Sequence, residues 1–177
     1  MYRIPGNPLA LELTSSHKRR SVNLDKIKPS TVDGFRVCAW CYEAKAKGPK
    51  YCGAICRLSA RAWAYPQKEE GLNFLLIRQN FKCAICEYDY KPLAEQVLVN
   101  GRVYDKPEDY KTELCWSLMR RIKQKSPEGF KPEVDHIVPI SKGGACLGLD
   151  NHQAICFTCH KFKTKREASG PRKVAVL

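Results

Sequence analysis

The chain has 177 residues, which is room for one medium-sized domain or for two small modules that share a modest core. Lysine and arginine number 31 against 18 aspartates and glutamates, so the formal net charge is +13. This balance indicates a polyanionic partner, most commonly nucleic acid, although a basic surface that only aids solubility has the same composition. No stretch approaches the roughly 20 apolar residues that span a membrane, and the N-terminus lacks the apolar core of a signal peptide. We therefore expect a cytoplasmic protein that is neither secreted nor bound to a membrane.

The chain has ten cysteines, and eight of them fall into four close pairs. Disulfide scaffolds are usually shorter, denser in cysteine and secreted, so we expect reduced thiols, most of them bound to metal. A set of unrelated free or redox-active pairs is the alternative. The paired cysteines are Cys38, Cys41, Cys52, Cys56, Cys83, Cys86, Cys156 and Cys159.

Neither end of the chain has the apolar composition of a packed core. Residues 1–36 are polar, contain three prolines and carry a basic cluster at 18–20, which predicts a flexible basic arm. Such an arm either lies along phosphates or is a plain disordered tail. Residues 167–177 contain Gly170 and Pro171 and predict a loose tail.

Residues 37–68 form the first predicted module. Its two cysteine pairs, spaced Cys-x2-Cys and Cys-x3-Cys, are separated by a short loop, which suits a tetrahedral zinc ion with four thiolate ligands. Residues 57–64 predict a short helix directly after the last cysteine. This order of knuckle, loop and cysteines that enter a helix resembles a treble-clef finger.

The middle of the chain combines an apolar helix with an inserted segment. Residues 71–82 predict the helix, which leads into the third cysteine pair. We interpret residues 87–132 as an insertion, because they separate that pair from the next motif. Within it, 97–104 predicts two short strands around an Asn-Gly turn, and 107–125 predicts a helix with an apolar stripe. The basic end of that helix either complements the helix dipole or contacts DNA.

The most informative segment lies in the last third of the chain. Asp135 and His136 are adjacent, Asn151 follows a Gly-Gly loop, and His160 directly follows the last Cys-x2-Cys pair. Carboxylate and imidazole groups ligate divalent cations, and a second imidazole can act as a base near neutral pH. A site of this kind can hydrolyse phosphodiesters. Neighbours on a strand point to opposite faces, so Asp135 and His136 serve one site only if the strand bulges or ends there.

The combination of Asp-His, Gly-Gly, Asn and Cys-x2-Cys-His with a distant Cys-x2-Cys resembles the HNH (ββα-metal) endonuclease family, in the branch braced by a four-cysteine zinc. The resemblance implies an α+β fold with a small zinc-braced ββα-metal nuclease domain at 71–166. An inserted hairpin and helix interrupt this domain, and the treble-clef-like zinc module precedes it. Residues 133–140 and 149–155 would form the two strands, and the helix would start at Phe157.

The resemblance also implies the roles of the site residues. His136 would deprotonate the attacking water, Asp135 and His160 would bind one catalytic divalent ion, and Asn151 would pin the loop. Some members of the superfamily carry a further histidine one turn after the last ligand, where this chain has Thr164. One fewer protein ligand favours Mg²⁺ or Mn²⁺ over tightly held zinc. Two structural zinc ions are expected as well, one on Cys38, Cys41, Cys52 and Cys56 and one on Cys83, Cys86, Cys156 and Cys159.

The implied function is that of a metal-dependent DNA endonuclease that leaves 5′-phosphate and 3′-hydroxyl ends, in a bacterial or phage-infected cell. A zinc-dependent nucleic-acid-binding protein with an inactive or partner-serving nuclease unit is the alternative. The expected partner is duplex DNA, with a homodimer if both strands are cut. Several side chains are expected either to contact nucleic acid or to form a solvated surface. They are Lys142, His152, Lys161, Lys163, Lys165, Arg57 and Arg61.

Overall fold

The computed structural model describes residues 22–27, 29, 31–43, 50–98 and 114–169. These residues form an α+β fold with two small antiparallel sheets of two strands each, as expected. The helices are α1 (Ala54–Ala64), α2 (Glu69–Arg78), α3 (Lys91–Leu98), α4 (Leu114–Lys125) and α5 (Phe157–Ala168). The strands are β1 (Thr31–Val32), β2 (Phe35–Arg36), β3 (Pro132–His136) and β4 (His152–Cys156).

One apolar core lies between α2, α4 and the β3–β4 sheet. Leu75 and Leu76 of α2 are fully buried there and pack with Ile155 of β4. Met119 and Ile122 of α4 are fully buried in the same core. The segment expected to be an insertion therefore supplies part of the core on which the β3–β4 sheet rests.

A second core lies beneath the first cysteine module. The rings of Trp40 and Trp63 pack there with their centroids 5.7 Å apart. Leu147, from the loop between β3 and β4, joins this core. The backbone N–H of Gly148 donates to the carbonyl of Trp63 at 2.9 Å. The first module thus packs directly on the loop that connects the two strands.

Helix α2 joins the two cores and closes the outer edge of β4. At its N-terminal end, the buried Glu70 pairs with Arg61 of α1. At its C-terminal end, the side chain of Gln79 donates to the carbonyl of Ala154 at 2.8 Å and accepts from its N–H at 2.7 Å. Arg78 donates to the carbonyl of His152 at 2.7 Å. Because these bonds satisfy the edge of β4, the strand is fixed relative to α2.

Part of the expected N-terminal arm is folded. Val22 and Ile27 are buried in the second core, and β1 pairs with β2. Residues 1–21 lie outside the described part of the chain. At the other end, α5 continues to Ala168, so residues 167 and 168, which were expected to belong to a loose tail, are helical, and the residues after 169 lie outside the described part.

The hairpin expected at 97–104 can be compared with the structure only at its first two residues, and there it is wrong. Val97 and Leu98 belong to α3, which packs against α4, and residues 99–113 lie outside the described part. A short apolar run does not distinguish a strand from a helix, and here the contact with α4 decides. Within the helix expected at 107–125, residues 114–125 are helical.

The burial of α4 predicts a specific cost for truncating its apolar face. Replacing Ile122 with Ala should destabilise the fold by about 2 to 5 kcal/mol, because the side chain is fully buried and leaves a cavity. Gln124→Ala, on the exposed side of the same helix, should change the free energy of unfolding by less than about 0.5 kcal/mol. Urea unfolding of the zinc-loaded protein measures both, and equal effects would show that α4 is not part of the core.

Candidate active site

Two groups of four cysteines bring their sulfur atoms within 4.8 Å of one another. In the first group, Cys52 Sγ lies 3.8 Å from Cys41 Sγ and 3.4 Å from Cys56 Sγ. In the second, the sulfurs of Cys86 and Cys156 are 3.7 Å apart. A tetrahedral zinc ion about 2.3 Å from each sulfur separates the sulfurs by roughly 3.8 Å, whereas a disulfide brings them to about 2.05 Å. Both groups can therefore bind zinc, as expected.

The surroundings of the second group suit thiolates bound to a cation. Backbone N–H groups point at two of its sulfurs, from Cys156 to Cys83 at 3.3 Å and from Cys159 to Cys156 at 3.4 Å. Burial raises the pKa of the Cys159 thiol, and it does the same for Cys56 in the first group. Buried thiols with raised pKa values deprotonate together only when a metal ion compensates their charge.

The second cysteine group also fixes the start of α5. Cys156 is the last residue of β4 and caps the helix, while Cys159 lies in its first turn. Their partners, Cys83 and Cys86, belong to the knuckle that follows α2. A metal on these sulfurs would therefore join the knuckle to the first turn of α5, where His160 directly follows Cys159.

Three groups of the candidate site meet between β3 and α5. Glu133 and Asp135 are two residues apart on β3 and thus leave the same face of the strand. His160 Nδ1 lies 2.6 Å from Glu133 Oε2, and His160 Nε2 lies 3.7 Å from Asp135 Oδ1. The carboxylate of Glu133 thus takes up one ring nitrogen and directs the other toward Asp135.

The separation between Asp135 and His160 suits a shared divalent ion. An ion about 2.1 Å from each of two donors holds them roughly 3.0 to 3.5 Å apart at right-angled or tetrahedral geometry. The observed 3.7 Å is slightly larger, so a small closure of the two side chains brings both into bonding range. An oxygen and an imidazole nitrogen form a mixed donor set that accepts Mg²⁺, Mn²⁺ and other first-row divalent ions.

His136 lies at the last position of β3, beside Asp135 but on the opposite face of the strand. The register is unbroken up to the pair His136–His152, so the strand ends here without a bulge. Burial lowers the pKa of His136 below its usual 6.5, and Lys163 adds to this while Asp135 opposes it. The imidazole is therefore neutral near pH 7 and able to accept a proton.

His152 does not face solvent, and the expectation that it contacts phosphate is wrong. It is fully buried, and its ring packs on that of His136 with the centroids 4.4 Å apart. Burial, followed by the neighbouring His136, lowers the pKa of His152 to about 4, so this ring is neutral at physiological pH. Its cross-strand position beside His136 explains the difference, because that face of the sheet packs inward.

Asn151 closes the loop between β3 and β4 with its side-chain amide. The oxygen accepts from the N–H of Val138 at 2.9 Å, and the nitrogen donates to the carbonyls of Val138 at 2.9 Å and Ala145 at 3.0 Å. Gly144 makes this closure possible, because a Cβ there would lie 1.9 Å from the Val138 carbonyl oxygen. Asn151 therefore contacts the loop that follows His136.

Lys163 is directed into the site and not toward solvent, which makes it unavailable as the phosphate contact we expected. Its ammonium lies 2.8 Å from Asp135 Oδ2 and 2.7 Å from Glu167 Oε1, and it donates to the carbonyl of His136 at 2.7 Å. Burial lowers its pKa, but the hydrogen bonds to Asp135 and Glu167 outweigh this, so the pKa is raised above the usual 10.5. Lys163 therefore stays charged.

Most of the other expected contact residues are exposed. Arg61 keeps about half of its side chain in solvent although it pairs with Glu70, since 48% of it is accessible. A cavity of about 850 Å³ lies beside Lys163, lined among others by Lys142, Phe162 and Arg166. Among the expected contact residues, the exposed ones are Arg57, Arg61, Lys142, Lys161 and Lys165.

Comparison with known proteins identifies the segment that carries this geometry. Residues 125–166 match the family model of HNH endonucleases. This segment is similar to HNH endonucleases. The match covers β3, β4 and most of α5, together with the loop between the strands. No solved structure matches the chain.

The curated relatives that the chain matches include a much longer mammalian protein, DNA annealing helicase and endonuclease ZRANB3. The Mus musculus protein is 34% identical over 85 residues, which are 43% of this chain and 8% of that protein. The Homo sapiens protein is 25% identical over 168 residues, which are 80% of this chain and 15% of that protein. These relatives are eukaryotic and lend no support to the expected bacterial or phage origin. No helix among the described residues is long and apolar enough to cross a membrane.

Glu133 contacts His160 but is not part of the sequence motif. The signal was present, because Glu133 lies two residues before Asp135 and a strand returns to the same face every second residue. Lys163 was assigned to phosphate contact, although it lies three residues after His160, on the same side of α5. In both cases helix or strand periodicity held the information that the motif alone did not.

Zinc content tests the two cysteine groups directly. The wild-type protein should bind about two zinc ions per chain, and Cys56→Ala and Cys159→Ala should each bind about one, because each change removes a ligand from one group. Cys146→Ala is the matched control, since Cys146 is buried but belongs to neither group. Metal analysis of the purified proteins gives the counts. Loss of zinc from the Cys146 variant would contradict the assignment.

Proposed function

We propose that this chain is a metal-dependent DNA endonuclease that hydrolyses phosphodiester bonds to 5′-phosphate and 3′-hydroxyl ends. The observation that carries the proposal is the arrangement of Glu133, Asp135 and His160. A carboxylate oxygen and an imidazole nitrogen face each other at 3.7 Å, and a second carboxylate orients the imidazole. Carboxylate–histidine pairs of this kind orient the histidines that bind metals.

Asp135 and His160 would hold the catalytic ion, with Mg²⁺ or Mn²⁺ as the proposed metal. Bound there, the ion would supply positive charge to a phosphate oxygen and to the leaving 3′ oxygen as charge develops on them. Having only two protein ligands leaves positions open for water and substrate. This favours a weakly held, exchangeable ion over a tightly held structural one.

His136 would act as the general base. Its lowered pKa keeps the imidazole neutral at physiological pH, so its free nitrogen can take a proton from the attacking water. His152 packs behind the ring and is itself neutral. Asn151 would keep the loop after His136 in one conformation, which limits the positions that the imidazole can take.

DNA is the proposed substrate because of the chain's net positive charge and its similarity to the relatives described above. The chain carries a net charge of +13, and the names of its relatives include both DNA annealing and endonuclease. Phosphates would run over the exposed face of α5 and the loop at Lys142, with α1 of the first module extending the surface. Phosphate contacts give affinity without sequence choice. A double-strand break would need a homodimer or two successive cuts, because one site cuts one strand.

The alternative function is zinc-dependent nucleic-acid binding without cleavage. One observation favours it, namely that the ammonium of Lys163 already lies 2.8 Å from Asp135. A lysine can stand in for the positive charge of a metal ion in a site that has lost its activity. Activity measurements separate the two functions.

Nicking of supercoiled plasmid tests the endonuclease proposal. The zinc-loaded protein should nick DNA when Mg²⁺ or Mn²⁺ is added and should stop when the added metal is left out. His136→Ala should lower the rate about 100- to 10 000-fold, because that is the usual contribution of a general base. Asp135→Asn and His160→Ala should be similarly impaired, since each removes a donor to the ion.

Folding controls decide how these results are interpreted. Each variant must keep the zinc content and the unfolding midpoint of the wild type before its rate is compared. Undiminished cleavage by His136→Ala would remove His136 as the base. If the intact protein cuts no duplex, branched or single-stranded DNA but binds it, the binding alternative is correct.

Replacing Glu133 with Gln tests the metal site without relying on cleavage. The amide removes the negative charge that orients and polarises His160, so Mn²⁺ affinity should fall about 10- to 100-fold. Titration of the zinc-loaded protein with Mn²⁺, followed by electron paramagnetic resonance, measures the change. Glu128→Gln, in the turn before β3, is a matched control that should bind Mn²⁺ like the wild type. Equal affinity in both variants would show that Glu133 does not act on the metal site.

A further inference from the structure

Lys163 makes contacts that no other basic residue in the described part of α5 makes. Its neighbours Lys161, Lys165 and Arg166 are exposed, whereas only 17% of the Lys163 side chain is accessible. The amine lies within 2.8 Å of three oxygens, one each from Asp135, His136 and Glu167. An ammonium group has three hydrogens to donate, so the three oxygens use its full capacity.

Two of these three oxygens belong to the residues on which the proposed reaction depends. One is a carboxylate oxygen of Asp135, and the other is the backbone carbonyl of His136. We propose that Lys163 is a positioning residue that holds the metal-facing carboxylate and the peptide of the base in one fixed relation. This proposal rests on the proposed endonuclease function.

The geometry at Asp135 explains what the contact achieves. Oδ2 accepts from Lys163 at 2.8 Å and from Gln153 at 3.2 Å, and Oδ1 is left facing His160 at 3.7 Å. A carboxylate tied through one oxygen cannot rotate freely, so the other oxygen remains directed at the ion site. One oxygen is thus engaged by the protein and the other is available for metal.

The geometry at His136 adds a second effect. Asp135 and His136 leave opposite faces of β3 at the point where the strand ends. The peptide that follows His136 is hydrogen-bonded on both sides. Its N–H, from Ile137, donates to the carbonyl of Asn151 at 2.9 Å, and its carbonyl accepts from Lys163 of α5 at 2.7 Å. The helix that carries His160 therefore also fixes the base.

Glu167 sets where the amine lies without touching either group. It is one turn after Lys163 on α5 and pairs with the amine at 2.7 Å. Charge pairs at this spacing add little to helix stability when exposed, so this pair acts mainly through geometry. The positive charge of Lys163 also opposes tight binding of a cation at Asp135, which keeps the ion exchangeable.

Steady-state cleavage of a short duplex by Lys163→Met, Lys163→Arg and Lys163→Gln tests the proposal. Lys163→Met should lower kcat about 10- to 100-fold, because the carboxylate and the base are no longer held together. The KM for DNA should change by less than about threefold, since the amine does not reach phosphate. Arginine should recover part of kcat, because it keeps the charge and several donors, whereas glutamine should recover less.

Two comparison variants separate positioning from phosphate binding and from a general effect of losing a lysine. Lys161→Met, on the exposed side of α5, should raise the KM for DNA because it removes a phosphate contact. For the same reason, the KM of this variant should depend less on salt concentration than that of the wild type. Lys131→Met removes an exposed lysine that the proposed site does not use and should behave like the wild type. Mn²⁺ affinity of zinc-loaded Lys163→Met, from electron paramagnetic resonance, should be equal to or tighter than that of the wild type.

The outcomes distinguish a failure of the positioning role of Lys163 from a failure of the proposed endonuclease function. Active wild-type protein with an unimpaired Lys163→Met variant would overturn the positioning role alone. A raised KM with unchanged kcat would make Lys163 a phosphate contact and would also overturn it. Absence of cleavage by the wild-type protein would defeat the endonuclease function and this role together. If Lys163→Met loses zinc or unfolds, the folded Lys163→Gln and Lys163→Arg variants decide, and equal kcat values in both would overturn the proposal.

Discussion

The placement of the first turn of α5 is the constraint on which the candidate site depends. Cys159 and His160 are consecutive residues there, one directed at the four-sulfur group and the other at the acids of β3. A helix turn has little freedom to move one residue without its neighbour, so the cysteine group positions the imidazole. In a chain with small cores, a metal on the sulfurs would contribute folding free energy as well as position.

Polar side chains of β3 and α5 face one another across the site. Glu133 and Asp135 bring two carboxylates to one face of β3, and His160 and Lys163 of α5 face them. Each ring nitrogen of His160 faces a different carboxylate, and each oxygen of Asp135 faces a different residue of the helix. These polar contacts hold α5 against β3. A small domain has little apolar surface to bury, and polar contacts need little of it. The arrangement leaves one oxygen and one nitrogen facing each other.

Local motifs and spacing allowed much of the site to be predicted from the sequence. Both cysteine groups, the α+β class, the pairing of two strands and the helix that starts at Phe157 were expected, because the residues that form them are close in sequence or follow a known pattern. The strands, at 132–136 and 152–156, are shorter than the expected 133–140 and 149–155. The burial of His152, the inward direction of Lys163 and the role of Glu133 could not be read from the motif. They depend on which face of β3 or α5 packs against a neighbour, and that is settled by tertiary contacts. The first two residues of the hairpin expected at 97–104 are helical for the same reason, since they belong to α3, which packs on α4.

The contact between the first cysteine module and the strand-connecting loop has a consequence for how the molecule responds to oxidants. Leu147 lies in the core formed by Trp40 and Trp63, and the next residue, Gly148, bonds to the backbone of α1. Asn151, three residues further on, forms hydrogen bonds with the loop that follows His136. Oxidation of the first four thiols would remove the sulfur ligands beneath the tryptophan core and, through this short stretch of chain, would loosen the loop beside His136. A module remote from the candidate site in sequence would thereby make that site sensitive to thiol oxidation.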